Sequence, residues 1–183
     1  MAGKTGYTRV LRYFLIDTCL LIKGTEDSNI FFNFYNELNI KYQPVFLIHE
    51  GIKFEFLRSA VSADVKQKRE ELLNILDVTV LPQNKFDDDI LQIAQIYHAN
   101  KVQPNQIHYI DVINAAILNQ FAGRVHLLTI DNNDYPPCLF NYEEFFSMEK
   151  NNQRSIVGEY IFSKEKYHEG LVKLAAATKE IKK

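Results

Sequence analysis

Cysteine is scarce: the 183 residues contain two, Cys19 and Cys138, in no CxxC spacing. That excludes a disulfide framework and a cysteine zinc site, and it fits a reducing compartment. Long apolar runs are lacking as well. No stretch approaches the roughly 18 residues that span a bilayer, and Met1 to Thr8 have no apolar signal core. The expectation is a cytoplasmic protein with no membrane partner. No internal repeat or low-complexity tract is visible. Positive charge is not in excess either, since the net charge is -2. This excludes nucleic-acid binding by bulk charge, but not an enzyme whose acidic site offsets a basic surface. Up to Lys150 there are 14 basic and 19 acidic residues, a balance of -5, and beyond it 7 basic and 4 acidic, a balance of +3.

Hydrophobic residues make up 46% and charged residues 24%, the range of a chain that folds around a core. The length suits one domain. Four short apolar runs, Tyr13 to Ile16, Val45 to Ile48, Val78 to Leu81 and Val125 to Ile130, are rich in β-branched and aromatic residues and predict strands. Helices are predicted over Ser28 to Leu38, Glu50 to Ala60, Ala63 to Ile75, Asp87 to Asn100 and His108 to Ala122. The alternation predicts an α/β sandwich around a mostly parallel sheet. After Asn141 the pattern loosens. An added edge strand over Ser155 to Phe162 and a last helix from Lys164 to about Ile181, capped by Ser163 and with Leu171, Leu174, Thr178 and Ile181 along one side, are expected. The division is residues 1–150 as the main unit and 151–183 as an extension docked on it.

Parallel sheets bind ligands outside the carboxyl ends of their strands. Two runs stop there at aspartate: Asp17, and Asp131, which is followed by Asn132, Asn133 and Asp134. A third enters a helix carrying Glu50 and Glu55. Each alone reads as a helix cap or turn residue. Together they bring acid to one edge from three strands. Asp111 sits in the first turn of a helix apolar around most of its circumference, where a charge is costly unless paired or coordinated. The helix dipole is one partner for it, and a cation shared with Asp17 and Asp131 is the other.

Phe14-Leu15-Ile16-Asp17-Thr18-Cys19, Glu55-Phe56-Leu57-Arg58, Tyr109-Ile110-Asp111-Val112-Ile113-Asn114-Ala115-Ala116 and Leu128-Thr129-Ile130-Asp131-Asn132-Asn133-Asp134-Tyr135 resemble, in order, the acidic motifs of PIN domains. The resemblance covers roughly Arg12 to Tyr135. It implies a three-layer α/β/α fold with a central parallel sheet and a magnesium- or manganese-dependent endoribonuclease, as in the VapC-type toxins. Asp17, Glu55 and Asp111 look like the first three acidic ligands, with Glu50 a competitor to Glu55. The fourth is Asp131 or Asp134. Thr18 and Thr129 would supply hydroxyls behind them.

The implied chemistry is in-line attack of water on an RNA phosphodiester, with one or two ions stabilising the charge. RNA needs basic residues near the carboxylates, and Lys53 and Arg58, then Lys23, are the candidates. A toxin with a protein inhibitor, a housekeeping nuclease, and a nuclease of another defence or processing system are open roles. A catalytically inactive PIN-fold RNA-binding or scaffold protein is the alternative. Phe31-Phe32-Asn33-Phe34-Tyr35 reads as core or as the homodimer surface many PIN proteins use, ahead of base stacking. Asp87-Asp88-Asp89 reads as a helix N-terminal cap. His49 and His108 read as ordinary surface positions. A haloacid-dehalogenase-type phosphatase needs Asp-x-Asp after the first strand, where Asp17 is followed by Thr18 and Cys19, and a receiver domain needs an acidic pair there.

Overall fold

The computed structural model describes residues 9–82, 87–100, 102, 108–150 and 153–181. In chain order the elements are β1 (Val10–Ile16), α1 (Thr18–Glu26), α2 (Ser28–Lys41), β2 (Tyr42–His49), α3 (Glu50–Arg58), α4 (Ala63–Ile75), β3 (Thr79–Leu81), α5 (Asp87–Ala99), α6 (Tyr109–Gln120), β4 (Val125–Thr129), β5 (Phe140–Lys150), β6 (Gln153–Phe162) and α7 (Lys164–Ile181). The strands form one mixed sheet in the order β3-β2-β1-β4-β6-β5. The first four run parallel, β6 is antiparallel to β4, and β5 is antiparallel to β6. The fold is α/β, with a parallel part where the short apolar runs predict one and an antiparallel hairpin added to it.

Strand alternation sorts the core into two faces. Phe14, paired with Phe46 and His126, lies on the face that α2 covers, where Tyr35 stacks near Phe46 and Phe34 near Phe146. Leu15, Leu127 and Tyr160 point the other way, toward Tyr135 and α6. Every residue of β4 is buried, which is why its sequence is a continuous apolar run broken by His126 alone before Thr129. Phe31 and Phe34 of α2 are core residues. Among the described residues no helix is long and apolar enough to cross a membrane.

One sequence expectation needs correction here, and two elements were not expected at all. The segment Ser155 to Phe162 belongs to β6, which is not an edge: it lies between β4 and β5. The edge on that side is β5, where Glu143, Glu144 and Glu149 break up the apolar residues and hide it from a search for apolar runs. Thr18–Glu26 is a short helix to which the sequence reading assigns no element. The last helix does begin after Ser163, whose hydroxyl accepts from Lys166 N at 3.3 Å, and Leu171 and Leu174 pack on the core. The side chains of Thr178, Ile181, Asp87 and Asp88 lie outside the described residues, as do Met1 to Thr8.

The boundary at residue 150 therefore falls at the β5–β6 hairpin, and the chain after it is built into the sheet. β6 buries Val157, Tyr160 and Phe162, and it places the carboxylate of Glu159, fully buried, 2.7 Å from Arg12 Nη1 of β1 and 2.7 Å from His126 Nδ1 of β4. Removing one partner of such a buried pair costs about 3–5 kcal/mol. Deleting residues 151–183 is accordingly expected to abolish the cooperative unfolding transition, checked by circular dichroism on heating. A truncated chain that melts cooperatively near the full-length temperature would show that the sheet closes without β6.

Candidate functional site

The ends of β1 and β4 are adjacent, so the residues that follow them meet. Asp17 follows β1 and caps α1, its Oδ1 accepting from Thr18 N at 2.7 Å. Its Oδ2 accepts from Thr129 Oγ1 at 2.7 Å and from the Cys19 thiol at 3.3 Å. The cap reading of this residue holds, and its second oxygen faces the end of β4. Thr129 ends β4, and its hydroxyl also accepts from Asp131 N at 3.0 Å, tying the loop to the same carboxylate. Thr18 Oγ1 donates to Glu55 Oε2 at 2.7 Å, which brings in α3. Asp111 enters from the first turn of α6, 6% exposed.

These residues line one cleft of about 310 Å³: Asp17, Glu55, Asp111, Asp131 and Asp134, with Arg58 and His108 at its wall. Glu50 is absent from this lining and faces a neighbouring hollow, so geometry selects Glu55. Asp131 is exposed and spends one oxygen on Asn133 N at 3.3 Å, whereas Asp134 is half-buried. Of the basic candidates Arg58 alone lines the cleft. Lys53 lies farther along α3, and Lys23 pairs with Glu26 at 3.6 Å. Among the described residues, no three His, Cys, Asp or Glu side chains are grouped as a metal site.

The carboxylates nevertheless sense one another. Burial raises the Asp17 pKa, its three hydrogen bonds oppose this, and Glu55 adds to the rise. Asp111 is pushed up to about 8, first by burial and then by Asp17 and Asp134, against the lowering effect of the Tyr135 hydroxyl. Asp134 rises to about 6 through burial, Asp131 and Asp17. The Cys19 thiol, buried beside Asp17, rises to about 12 and stays protonated. Asp111 Oδ2 is buried with no hydrogen-bond partner. A buried acceptor left unpaired is costly, and a group that supplies positive charge or a proton is what it lacks.

The other Asp111 oxygen ends a chain of polar groups that the sequence reading missed. Gly51 N donates to His49 Nδ1 at 3.0 Å, so the imidazole proton is on Nε2, which donates to Asn114 Oδ1 at 3.0 Å. Asn114 Nδ2 donates to Tyr135 Oη at 2.9 Å, and Tyr135 donates to Asp111 Oδ1 at 3.2 Å. His49 is fully buried, contrary to the surface position expected, and burial lowers its pKa to about 4, so it is neutral. Gly51 is required at the start of the chain, since a Cβ there would stand 2.8 Å from both the His49 ring and Ile110. Pairing of Tyr135 with Asn114 is a tertiary fact with no sequence signature. Tyr135→Phe, which leaves Asn114 Nδ2 and Asp111 Oδ1 without their partner, is expected to cost about 1–3 kcal/mol in denaturant melts. An unchanged midpoint would show that neither bond matters.

Comparison with family models, curated proteins and solved structures finds no match to this chain.

Proposed function

We propose that this chain is a magnesium- or manganese-dependent endoribonuclease with a PIN-like three-layer arrangement, its chemistry in the cleft of Asp17, Glu55, Asp111 and Asp134. The observation that carries the reading is the unpartnered, buried Oδ2 of Asp111 on a residue that shares a cleft with four further carboxylates. The donor set fits a hard divalent ion, which takes oxygen ligands and accepts an incomplete protein shell. The order of the four acidic motifs along the chain supports the family assignment.

Asp17 and Asp111 would hold the ion, with Glu55 or Asp134 completing the set. When bound, it would supply charge to a phosphate and polarise water. The protein's own residues do the rest. Thr129 and Thr18 fix Asp17 and Glu55, Tyr135 fixes Asp111, and the Arg58 guanidinium offers a positive charge at the wall for a phosphodiester. Asp134, half-buried at the cleft and raised to about 6, is ionised at neutral pH yet basic enough to take a proton from attacking water.

The test is cleavage of a mixed pool of labelled RNA by the purified chain, with manganese, with magnesium and with chelator. Metal-dependent fragments are expected. Retained RNA binding without metal-dependent cleavage would turn the reading to the noncatalytic RNA-binding module.

A further inference from the structure

Beside the acidic cleft lies a second hollow, of about 440 Å³, lined by Glu50, Gly51, Phe54, Glu55, Arg58, Tyr109 and Ile110. It shares Glu55, Arg58 and Ile110 with the cleft, so the two are continuous. Two aromatic rings on its rim stand open to solvent: Phe54 is 67% exposed and Tyr109 is 59% exposed. Phe54 takes no part in the core. Ile52 and Phe56 carry the packing of α3 and are completely buried, which leaves Phe54 on the opposite side. The Arg58 guanidinium lies 5.7 Å from the Phe54 ring centre.

We infer that this hollow is a subsite for one unpaired nucleobase, stacked on Phe54, adjoining the phosphate that the cleft acts on. The inference rests on the nuclease reading and adds to it the residues that choose a single-stranded substrate. A polynucleotide with one phosphate in the cleft must place a neighbouring nucleotide against it, and the hollow is the adjoining space. Its charges favour a base over a second phosphate, because Glu50 and Glu55 outnumber Arg58 and repel an anion there, while a base edge has N–H donors for a carboxylate. Phosphates on the far side of that base meet Lys53, which lines an adjoining hollow with Phe54, Arg58 and Glu50; Lys66 lines it too, paired with Glu70 at 3.8 Å. Aromatic stacking requires an unpaired base, so a duplex is refused.

The experiment measures anisotropy of a fluorescein-labelled single-stranded RNA in Asp17→Asn protein with manganese, so that turnover does not consume the probe. Phe54→Ala added to this background is expected to weaken binding about tenfold, within the ~5- to 150-fold that one stacked base represents, and Phe54→Tyr to restore it. A set of oligomers each carrying one abasic nucleotide supplies the second arm. At one position the abasic substitution should lower affinity by the same factor, and Phe54→Ala should then lose nothing further. Binding by Phe54→Ala within twofold of its parent, or an equal loss on every abasic oligomer, overturns the subsite. So does sedimentation showing that Phe54→Ala separates a dimer while RNA affinity holds, which would make this face a contact between copies. Metal-dependent cleavage by the unmodified chain is scored separately: cleavage without the Phe54 effect sinks the subsite alone, and the Phe54 effect without cleavage sinks the nuclease reading alone.

Discussion

Asp17→Asn is expected to lower metal-dependent RNA cleavage by at least about 10²–10³-fold, the loss that follows removal of one preorganised charge-stabilising group. The fold should survive it. Asparagine caps a helix about as well as aspartate, so the bond from Thr18 N is kept. Thr129 Oγ1 already accepts from Asp131 N and has a lone pair left for an amide N–H in place of the Oδ2 it now meets. The substitution therefore removes charge and little else. Cleavage of labelled RNA with manganese gives the activity, and a thermal melt of the same preparation shows whether the protein is folded. Near-normal cleavage by a folded Asp17→Asn chain removes the central claim, because Asp17 is the cleft carboxylate that follows β1 and is hydrogen-bonded to Thr129 at the end of β4.

Asp17, Asp131 and Asp111 were legible in the sequence because the first two directly follow an apolar run and the third lies in the first turn of a helix, positions that local pattern defines. Chain order told which strand ends carry acid, and the parallel sheet brings those ends together. What the pattern did not carry is contact at long range. Glu50 and Glu55 were indistinguishable until α3 was seen to turn Glu55 toward Thr18. His49 looked like a surface residue because its partners, Gly51 and Asn114, are visible only once β2, α3 and α6 are packed. Two elements were lost to conflicting local signals. β5 reads Phe-Asn-Tyr-Glu-Glu-Phe-Phe-Ser-Met-Glu-Lys, with charges suited to an exposed edge and a register shift between Tyr142 and Glu144 that spoils its alternation. α1 is short, and its cap is the site aspartate itself. Phe54 was within reach: Ile52 and Phe56, four apart, define the buried side of α3 and leave the ring two positions from each facing out.

In chelator the wild-type chain is expected to lose stability as pH rises from about 5 to about 8, and Asp111→Asn to flatten much of that decline. Asp111 keeps its proton to about pH 8 in the fold but to about 3.8 in an unfolded chain. Between these values the folded state binds more protons, so each step up in pH favours unfolding, and the whole penalty is present above the folded pKa. Asp134, raised to about 6, and Asp17, also raised, act in the same direction and leave a shallower slope in the mutant. The asparagine keeps an oxygen for the Tyr135 hydroxyl while removing the charge that Asp17 and Asp134 oppose. Its chelated form should thus melt at or above the wild-type temperature at pH 8. A cation bound only by the folded state at about 100 times its dissociation constant adds about 2.7 kcal/mol. Manganese should therefore raise the wild-type melting temperature most at high pH, where Asp111 must ionise to ligate, and should do little for the mutant. If Asp111 serves the α6 dipole instead, loss of its charge lowers stability with or without metal. A mutant less stable than wild type in chelator, yet stabilised by manganese to the same extent, would rule out Asp111 as a ligand.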